Sequence, residues 1–462
     1  MKRVFKEVES LDKKCYEQYG LSEDLLMEHA SLGLYHAIPK LSKDILIVSG
    51  SGNNGADGIA LARLLQEEKD VKLYLPLGSK SPMSKVQLTR AKAVGVEIVE
   101  MITDSDVIVD CLFGSGLKRE LSEDIVTIIN KLNSMDGYKL SCDIPTGIDE
   151  FGSIGSIAFK ADTTVTMGAL KESLYLDCVK DYVGEIVVAN LGVARELYED
   201  ESQTYLLDES DLKLPTRELQ DTNKGRFGHL GVIAGKKPGA AILCAKAGFA
   251  FGSGLVTVVE NENYQIPYEI MNSSTLPENI TAICLGMGLG NMYDREYLLS
   301  FLSLEKKPVV VDADMFYREM LARVLEYKKE LVLTPHPKEF CSLLKLTGIA
   351  DIEVSELQKR RFHYVREFCD KYSDVVLVLK GANTLIAQGK ELYIQPLGSS
   401  TLSKGGSGDV LAGLIGSLLA QGNSPLKSAI NGSLAHALSL KNFSKNSYAL
   451  TPEDLIEGVS CL

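Results

Sequence analysis

Glycines 405, 406 and 408 enclose Ser407, and Asp409 follows them directly into the apolar run VLAGLIGSLLAQG. A helix starting there presents unpaired N–H groups and the positive end of its dipole, which suit phosphoryl oxygens. A carboxylate at that N-terminus, Asp409, can take the proton of an attacking hydroxyl. A capped core helix would also explain an Asp in a first turn, but Gly-Gly-x-Gly-Asp is tighter than a cap requires. The chemistry expected here is phosphoryl transfer.

A second constellation lies in the first half. SGSGNNGADG (Ser49 to Gly58) joins a strand to the helical run GIALARLLQEE. DCLFGSGLKRE places Asp110 at a strand end before another glycine loop, and SCDIPTGID places Asp143 and Thr146 at the end of the next strand. Ligands of open α/β sheets bind beyond the carboxyl ends of the strands. Asn54, Asp110 and Thr146 could supply oxygens to one hard cation, and Asp143 could carry a proton or hold a ribose hydroxyl. Singly, each Asp reads as a cap or turn residue; together they favour a site. The glycine spacing is not a dinucleotide fingerprint, so hydride transfer is not implied.

These loops need strands and helices to hold them. In the first half strands are expected at ILIVSG, VKLYLP, DVIVDCLFG, YKLSCDIP, TTVTMGA and EIVVANLG. In the second they are expected at HLGVIAG, LVTVVEN, AICLGMG, PVVVDAD, LVLTPHP and VVLVLKGA, with TLIAQGKELYIQP as a hairpin and a mostly helical end from Asp409. Unbroken Val/Ile/Leu strands alternating with helices predict parallel sheets covered on both faces. The polar, acidic stretch over 200–220 predicts the boundary between domains 1–205 and 206–462.

GNNGADG, DCLFGSG and DIPTGID resemble the three signature loops of the NAD(P)H-hydrate epimerases. LLMEHA (Leu25 to Ala30) and VTMGALKESL (from Val165) resemble two further segments of that family. The resemblance implies a Rossmann-like three-layer α/β/α sandwich. It also implies a hydrate site at Asn53, Asn54, Gly55, Ala56, Asp57, Gly114, Ser115, Gly116, Leu117, Lys118, Arg119, Glu120 and Asp143, with potassium held near Asn54, Asp110 and Thr146. Asp143 is the implied proton carrier. Three departures are small: Ala56 for the usual Gly, Ser115 for Thr, Thr146 for Ser. Ala56 matters only if its backbone needs positive φ.

The Asp409 segment resembles the anion hole and catalytic aspartate of ribokinase-like enzymes. NKGRFGHLGVIAG, PGAAILCAKAGFAFGSGLVTVV, LGMGLG, VVDADMF, LTPHPKEF and LKGANTLIA follow in order and resemble the NAD(P)H-hydrate dehydratase branch. The resemblance implies a C-terminal ribokinase-like α/β domain. Its hydrate pocket would be lined by Ala240, Gly288, Gly290, His336 and Asp409. Its nucleotide, ADP or ATP with Mg²⁺, would be held at Lys380, Gly381, Ala382, Asn383, Thr384, Gly405, Gly406, Ser407 and Gly408. Lys338 stands where Gly is usual, and Ser403-Lys404 where Ala with Thr or Ser is common. A His between two prolines is more often a rigid turn residue than a catalyst, so His336 is assigned binding and not proton transfer; Lys380 reads equally as a lysine snorkelling at a strand end.

The whole chain thus resembles a fusion of isomerase and lyase for nicotinamide nucleotide repair. Two other readings are a ribokinase-like small-molecule kinase with an accessory Rossmann-like domain and a non-catalytic binding module. The net charge of −13 over 462 residues argues against nucleic acid as a partner. Nine cysteines without a C-x-x-C pair argue against zinc ribbons and fit a reducing compartment, with Cys111, Cys142, Cys244 and Cys284 as core residues. MKRVFKEVESLDKKC lacks a signal-peptide core, and apolar runs stop short of a membrane span, so a cytoplasmic protein with small-molecule substrates is expected. Self-association as a homo-oligomer stays open.

Overall fold

The computed structural model describes residues 1–117, 120–218, 220–262, 264–303 and 307–462. The chain divides into two compact units, Arg3–Ser202 and Gln203–Leu462, the second including Met1–Lys2.

The first unit is built on a seven-stranded parallel sheet among the described residues. Its order is Glu97–Val99, Asp70–Tyr74, Asp44–Ser49, Val107–Cys111, Tyr138–Cys142, Thr163–Met167, Glu185–Ala189. Side chains alternate across each strand. Ile45 and Ile47 therefore pack with Leu26, Ala30 and Leu34 of helix Glu23–Ala37 and with Ile59 and Ala62 of helix Asn53–Leu65. Leu46 and Val48 pack on the other face with Ile125, Ile129 and Leu132 of helix Glu123–Ser134. Helices cover both faces, as the unbroken apolar strands require. The strand order reverses between Asp44–Ser49 and Val107–Cys111, which opens a crevice beyond their carboxyl ends.

The second unit has a larger mixed sheet. Met271–Ser273, Leu255–Val259, His229–Ile233, Ala282–Leu285, Val309–Val311, Leu331–Leu333 and Val376–Leu379 run parallel in that order. The hairpin Thr384–Gln388 and Glu391–Gln395 then pairs antiparallel, as its sequence predicts. Helix Ser407–Ala420 presses Leu411, Ala412, Ile415 and Leu419 onto the sheet beside Ala241, Cys244 and Ala245 of helix Pro238–Ala250. The reversal here falls between His229–Ile233 and Ala282–Leu285.

The structure departs from the sequence reading at short edge pieces. Thr204–Leu206, inside the acidic stretch, is a strand on Glu391–Gln395 rather than linker. Lys2–Phe5 pairs with Leu170–Lys171, Val4 opposite Leu170 and Phe5 opposite Lys171. Pieces of two to four residues are too short to show a period of two. Cys111, Cys142, Cys244 and Cys284 are buried, as expected. Among the described residues no helix is long and apolar enough to cross a membrane.

Candidate functional site

In the first unit the three loops converge at the switch point. Asp110, last but one in its strand, is buried, and three hydrogen bonds hold it. Its Oδ1 accepts from Leu112 N at 3.1 Å and from Thr146 Oγ1 at 2.7 Å, and its Oδ2 accepts from Thr146 N at 2.8 Å. Thr146 Oγ1 in turn accepts from Phe113 N at 3.0 Å. Burial pushes the Asp110 carboxyl up to about 6, against the lowering effect of the Thr146 and Leu112 bonds. Asn54 lies in the first turn of helix Asn53–Leu65, with its amide Nδ2 buried and without a partner among the described residues. Turned end for end, the amide offers its oxygen to the same space.

Asp143 follows directly on its strand with φ of 67°, in the left-handed region a non-glycine rarely adopts. Such strain persists only where surroundings over-determine it, and here they do. Oδ2 accepts from Ser115 N at 3.1 Å, and Oδ1 accepts from Met167 N at 3.2 Å and from Lys171 Nζ at 2.7 Å. Burial alone would raise this carboxyl; the Lys171 ammonium, then the Ser115 and Met167 N–H groups, hold it below the usual carboxylate range. A Cβ on Gly114 would lie 2.9 Å from both Asn54 Oδ1 and Asp143 Oδ2, so only glycine lets this loop close over the two. Asp57 is buried beneath, and burial followed by the Asp143 and Asp12 charges keeps it well above the normal carboxyl range.

Other predicted positions are distributed unevenly. Asn53 is exposed and donates to Glu23 Oε1 at 2.6 Å. Gly55 and Ala56 are buried in the helix, and Ala56 has no positive φ, so the departure from Gly costs nothing there. Ser115, Gly116 and Glu120 are exposed around the crevice loop, whereas Leu117 is 6% exposed and turned inward. Lys118 and Arg119 lie outside the described residues.

In the second unit Gly406 caps helix Ser407–Ala420 with φ of 92°. Ser407 is already occupied: its N–H donates to Lys404 O at 3.2 Å, and its Oγ lies 3.0 Å from His436 Nε2. Burial lowers His436 to about 4, so it is neutral. The N–H groups of Gly408 and Asp409 make no hydrogen bond among the described residues, which leaves two donors at the positive end of a helix dipole. Gly406→Ala would put a Cβ 2.6 Å from Pro452 Cγ in a left-handed backbone. That substitution is expected to cost about 1–3 kcal/mol, read as a lower unfolding midpoint.

Asp409 stands in the first turn. Burial and then the Asp312 charge push its carboxyl up to about 6, and Lys380 opposes them. Lys380 Nζ donates to Asp312 Oδ1 at 2.8 Å and lies 3.9 Å from Glu339 Oε2, while Thr334 Oγ1 donates to Asp312 Oδ1 at 2.9 Å. A Cβ on Gly408 would sit 3.5 Å from Lys380 Nζ, so the lysine lies at the helix start and is no snorkelling side chain. Glu339, largely buried, is pushed up to about 7, with Lys380 pulling it down. His336 caps helix Pro337–Leu346: Nδ1 accepts from Lys338 N at 3.1 Å, and its own N–H donates to Glu339 Oε2 at 2.8 Å. Its exposed ring leaves both a turn role and a contact role intact.

Ala240 packs near Gly288, whose added Cβ would lie 3.2 Å from it; Gly288 and Gly290 both have left-handed φ, and Gly290 N donates to Asp314 Oδ2 at 2.8 Å. Gly381 and Ala382 are exposed, Asn383 is buried, Thr384 opens the hairpin, and Gly405 is exposed beside exposed Lys404. Sequence reading missed Lys171, Asp312 and Glu339. Asp312 ends an apolar strand as Asp110 and Asp143 do, and that same signal would have found it. Lys171 lies inside the family-like segment VTMGALKESL, next to Glu172, but neither its type nor its spacing pointed to Asp143.

Family models match two parts of the chain: the YjeF-related protein N-terminus over 23–173 and NAD(P)H-hydrate dehydratase over 230–460. A bifunctional NAD(P)H-hydrate repair enzyme of Helicobacter pylori is 44% identical over 476 residues, covering 100% of both chains. Another, from Dictyoglomus turgidum, is 32% identical and covers 98% of this chain and 96% of its own. A solved ADP/ATP-dependent NAD(P)H-hydrate dehydratase from Bacillus subtilis, co-crystallised with ATP and Mg²⁺, is 27% identical, with a TM-score of 0.48 over 55% of this chain and 96% of that one. With full-length identity at this level and both parts matched, the chain belongs to the bifunctional NAD(P)H-hydrate repair enzymes.

Proposed function

We propose that residues 1–205 interconvert the R and S hydrates of NADH and NADPH, and that residues 206–462 return the S hydrate to NAD(P)H at the expense of ADP or ATP. The observation that carries this reading is Asp409, a half-buried carboxyl at the start of a helix with two unpaired N–H groups, within the electrostatic reach of the Lys380–Asp312 pair.

Asp409 takes the proton of the hydrate's hydroxyl as that oxygen bonds to the terminal phosphorus and the bond to the nucleotide's bridging oxygen breaks. The Gly408 and Asp409 N–H groups, with Lys380, meet the charge that develops on the phosphoryl oxygens. The ring nitrogen's lone pair then expels phosphate from the adjacent carbon, and loss of a proton from the next ring carbon restores the dihydronicotinamide. Phosphate leaves far more readily than hydroxide, so the nucleotide drives the dehydration. Ala240, Gly288, Gly290 and His336 are assigned to the hydrate, and Lys380 to Thr384 with Gly405 to Gly408 to the nucleotide. Mg²⁺ would screen the phosphates; among the described residues no group of three or more His, Cys, Asp or Glu could hold it alone, which fits an ion carried mainly by the nucleotide.

In the first unit Asp143 is assigned to the proton transfer that opens or dehydrates the hemiaminal-like carbon, with Asn53 to Asp57 and Gly114 to Glu120 around the substrate. Asp110, Thr146 and Asn54 fit potassium: they bring a carboxylate, a hydroxyl and an amide of which one end is buried without a partner. Potassium there would keep Asp110 ionised and tie the three loops together.

The test is stoichiometry. With S hydrate and Mg²⁺, each NAD(P)H formed should be matched by one phosphate and one AMP from ADP, or one ADP from ATP. A phosphorylated product that accumulates without NAD(P)H would favour the small-molecule kinase reading. The pH profile follows from the Asp409 carboxyl, which must be ionised to act. Its raised value, about 6, means that kcat/KM for dehydration is flat above that pH and falls about tenfold per unit below it.

A further inference from the structure

We propose that Lys171 is the positioning residue of the epimerase site, clamping Asp143 so that its Oδ2 alone can exchange a proton with the substrate. This rests on the epimerase reading above and names the atom and the residue behind it.

The ammonium of Lys171 has three protons, and each has a protein acceptor: Asp143 Oδ1 at 2.7 Å, Thr166 Oγ1 at 2.8 Å and Met167 O at 3.0 Å. Lys171 is 1% exposed. With its protons committed and its surface covered, it has nothing to give a substrate, so its effect passes through Asp143. On the carboxylate side, Oδ1 accepts twice, from Lys171 and from Met167 N, whereas Oδ2 accepts only from Ser115 N among the described residues. Oδ2 also faces the Gly114 loop, where a Cβ would come within 2.9 Å of it. The oxygen with spare capacity is therefore the one on the crevice side.

The chain is folded to make this contact. Gly168, at φ of 73°, turns the backbone after Thr163–Met167, and an added Cβ there would strike Tyr198 Oη at 2.2 Å. That turn carries Leu170–Lys171 back as a short strand on Lys2–Phe5, with Lys171 opposite Phe5. Both ends of the clamp are thus fixed by backbone, and the ion pair fixes the strained Asp143 carboxylate between them.

The experiment uses the full chain and compares Lys171→Ala, Thr166→Val and wild type on the R hydrate, with S-hydrate dehydration as the control for the same protein. Lys171→Ala is expected to lower kcat of epimerisation by about 100-fold or more with KM within a few-fold, and methylammonium should restore part of the rate by refilling the ammonium site. Thr166→Val, which removes one of three acceptors and keeps the fold, is expected to lower kcat by several-fold. Unchanged kcat in Lys171→Ala would overturn the proposal. So would a rise in KM alone, or a kcat loss that amine does not relieve. If Lys171→Ala does not fold, Thr166→Val decides, and wild-type kcat there overturns the proposal. Absence of epimerisation in wild type would instead overturn the epimerase reading itself.

Discussion

Asp409→Ala is expected to lower dehydration of the S hydrate by about 1,000-fold while leaving interconversion of R and S hydrates at the wild-type rate. A positioned general base contributes about 10²–10⁴ in rate, and about 1,000-fold corresponds to about 4 kcal/mol of transition-state stabilisation. The two other carboxylates at Lys380 are already engaged: Asp312 accepts from Lys380 and Thr334, and Glu339 accepts from the His336 N–H. NAD(P)H absorbance gives the first rate, and separation of the two epimers gives the second. Dehydration within a few-fold of wild type would remove Asp409 as the base. Loss of both activities would show that the two units do not work independently.

Asp143→Asn is expected to lower epimerisation by a similar factor, about 1,000-fold, with dehydration of S hydrate retained. Asn is the informative replacement because it tolerates the left-handed backbone that Asp143 occupies at φ of 67°. It can still accept from Lys171 and Met167, so the clamp keeps its shape and loses its charge. The substitution leaves the buried Lys171 ammonium without its counter-charge and sets the new amide N–H against Ser115 N–H, and removing one charge of a buried pair costs about 3–5 kcal/mol. The first unit should therefore unfold at a lower temperature while the second keeps its own transition. Epimerisation at the wild-type rate from a folded Asp143→Asn protein would exclude Asp143 as the proton carrier.

Much of this site is legible in the sequence because it is built from loops directly after apolar strands. SGNNGADG and DCLFGSG include or follow the Val/Ile/Leu runs ILIV and VIV, DIPTGID follows the strand YKLSC, and parallel strands deliver all three loops to one edge. Asp409 is legible for a related reason: its glycines mark a helix start at which a left-handed cap is needed, and Gly406 supplies it. Lys171 sits in the family-like segment VTMGALKESL, but its pairing with Asp143 is not legible. Its partner is 28 residues away, and the contact depends on a turn at Gly168 and on a two-residue strand that has no period of its own. Glu339 escaped because a Glu three residues after a His reads as a capping box, which it also forms; its approach to Lys380 is set by the packing of two distant strand ends. The strand Thr204–Leu206 escaped because a single turn of sequence, TYL, sits in acidic surroundings. Local pattern thus predicts which loops reach the edge, while the charges that tune them come from tertiary contacts.

The central claim is that one chain carries two complementary activities, and recovery of reduced-nicotinamide absorbance from an equilibrated mixture of R and S hydrates tests it most directly. With Mg²⁺, K⁺ and ADP or ATP, the wild-type protein is predicted to restore all the absorbance in one fast course. Asp143→Asn should stop at the S fraction, and adding the Asp409→Ala protein to it should complete the recovery. No recovery from folded wild-type protein with either nucleotide would contradict the account, as would full fast recovery by Asp143→Asn alone.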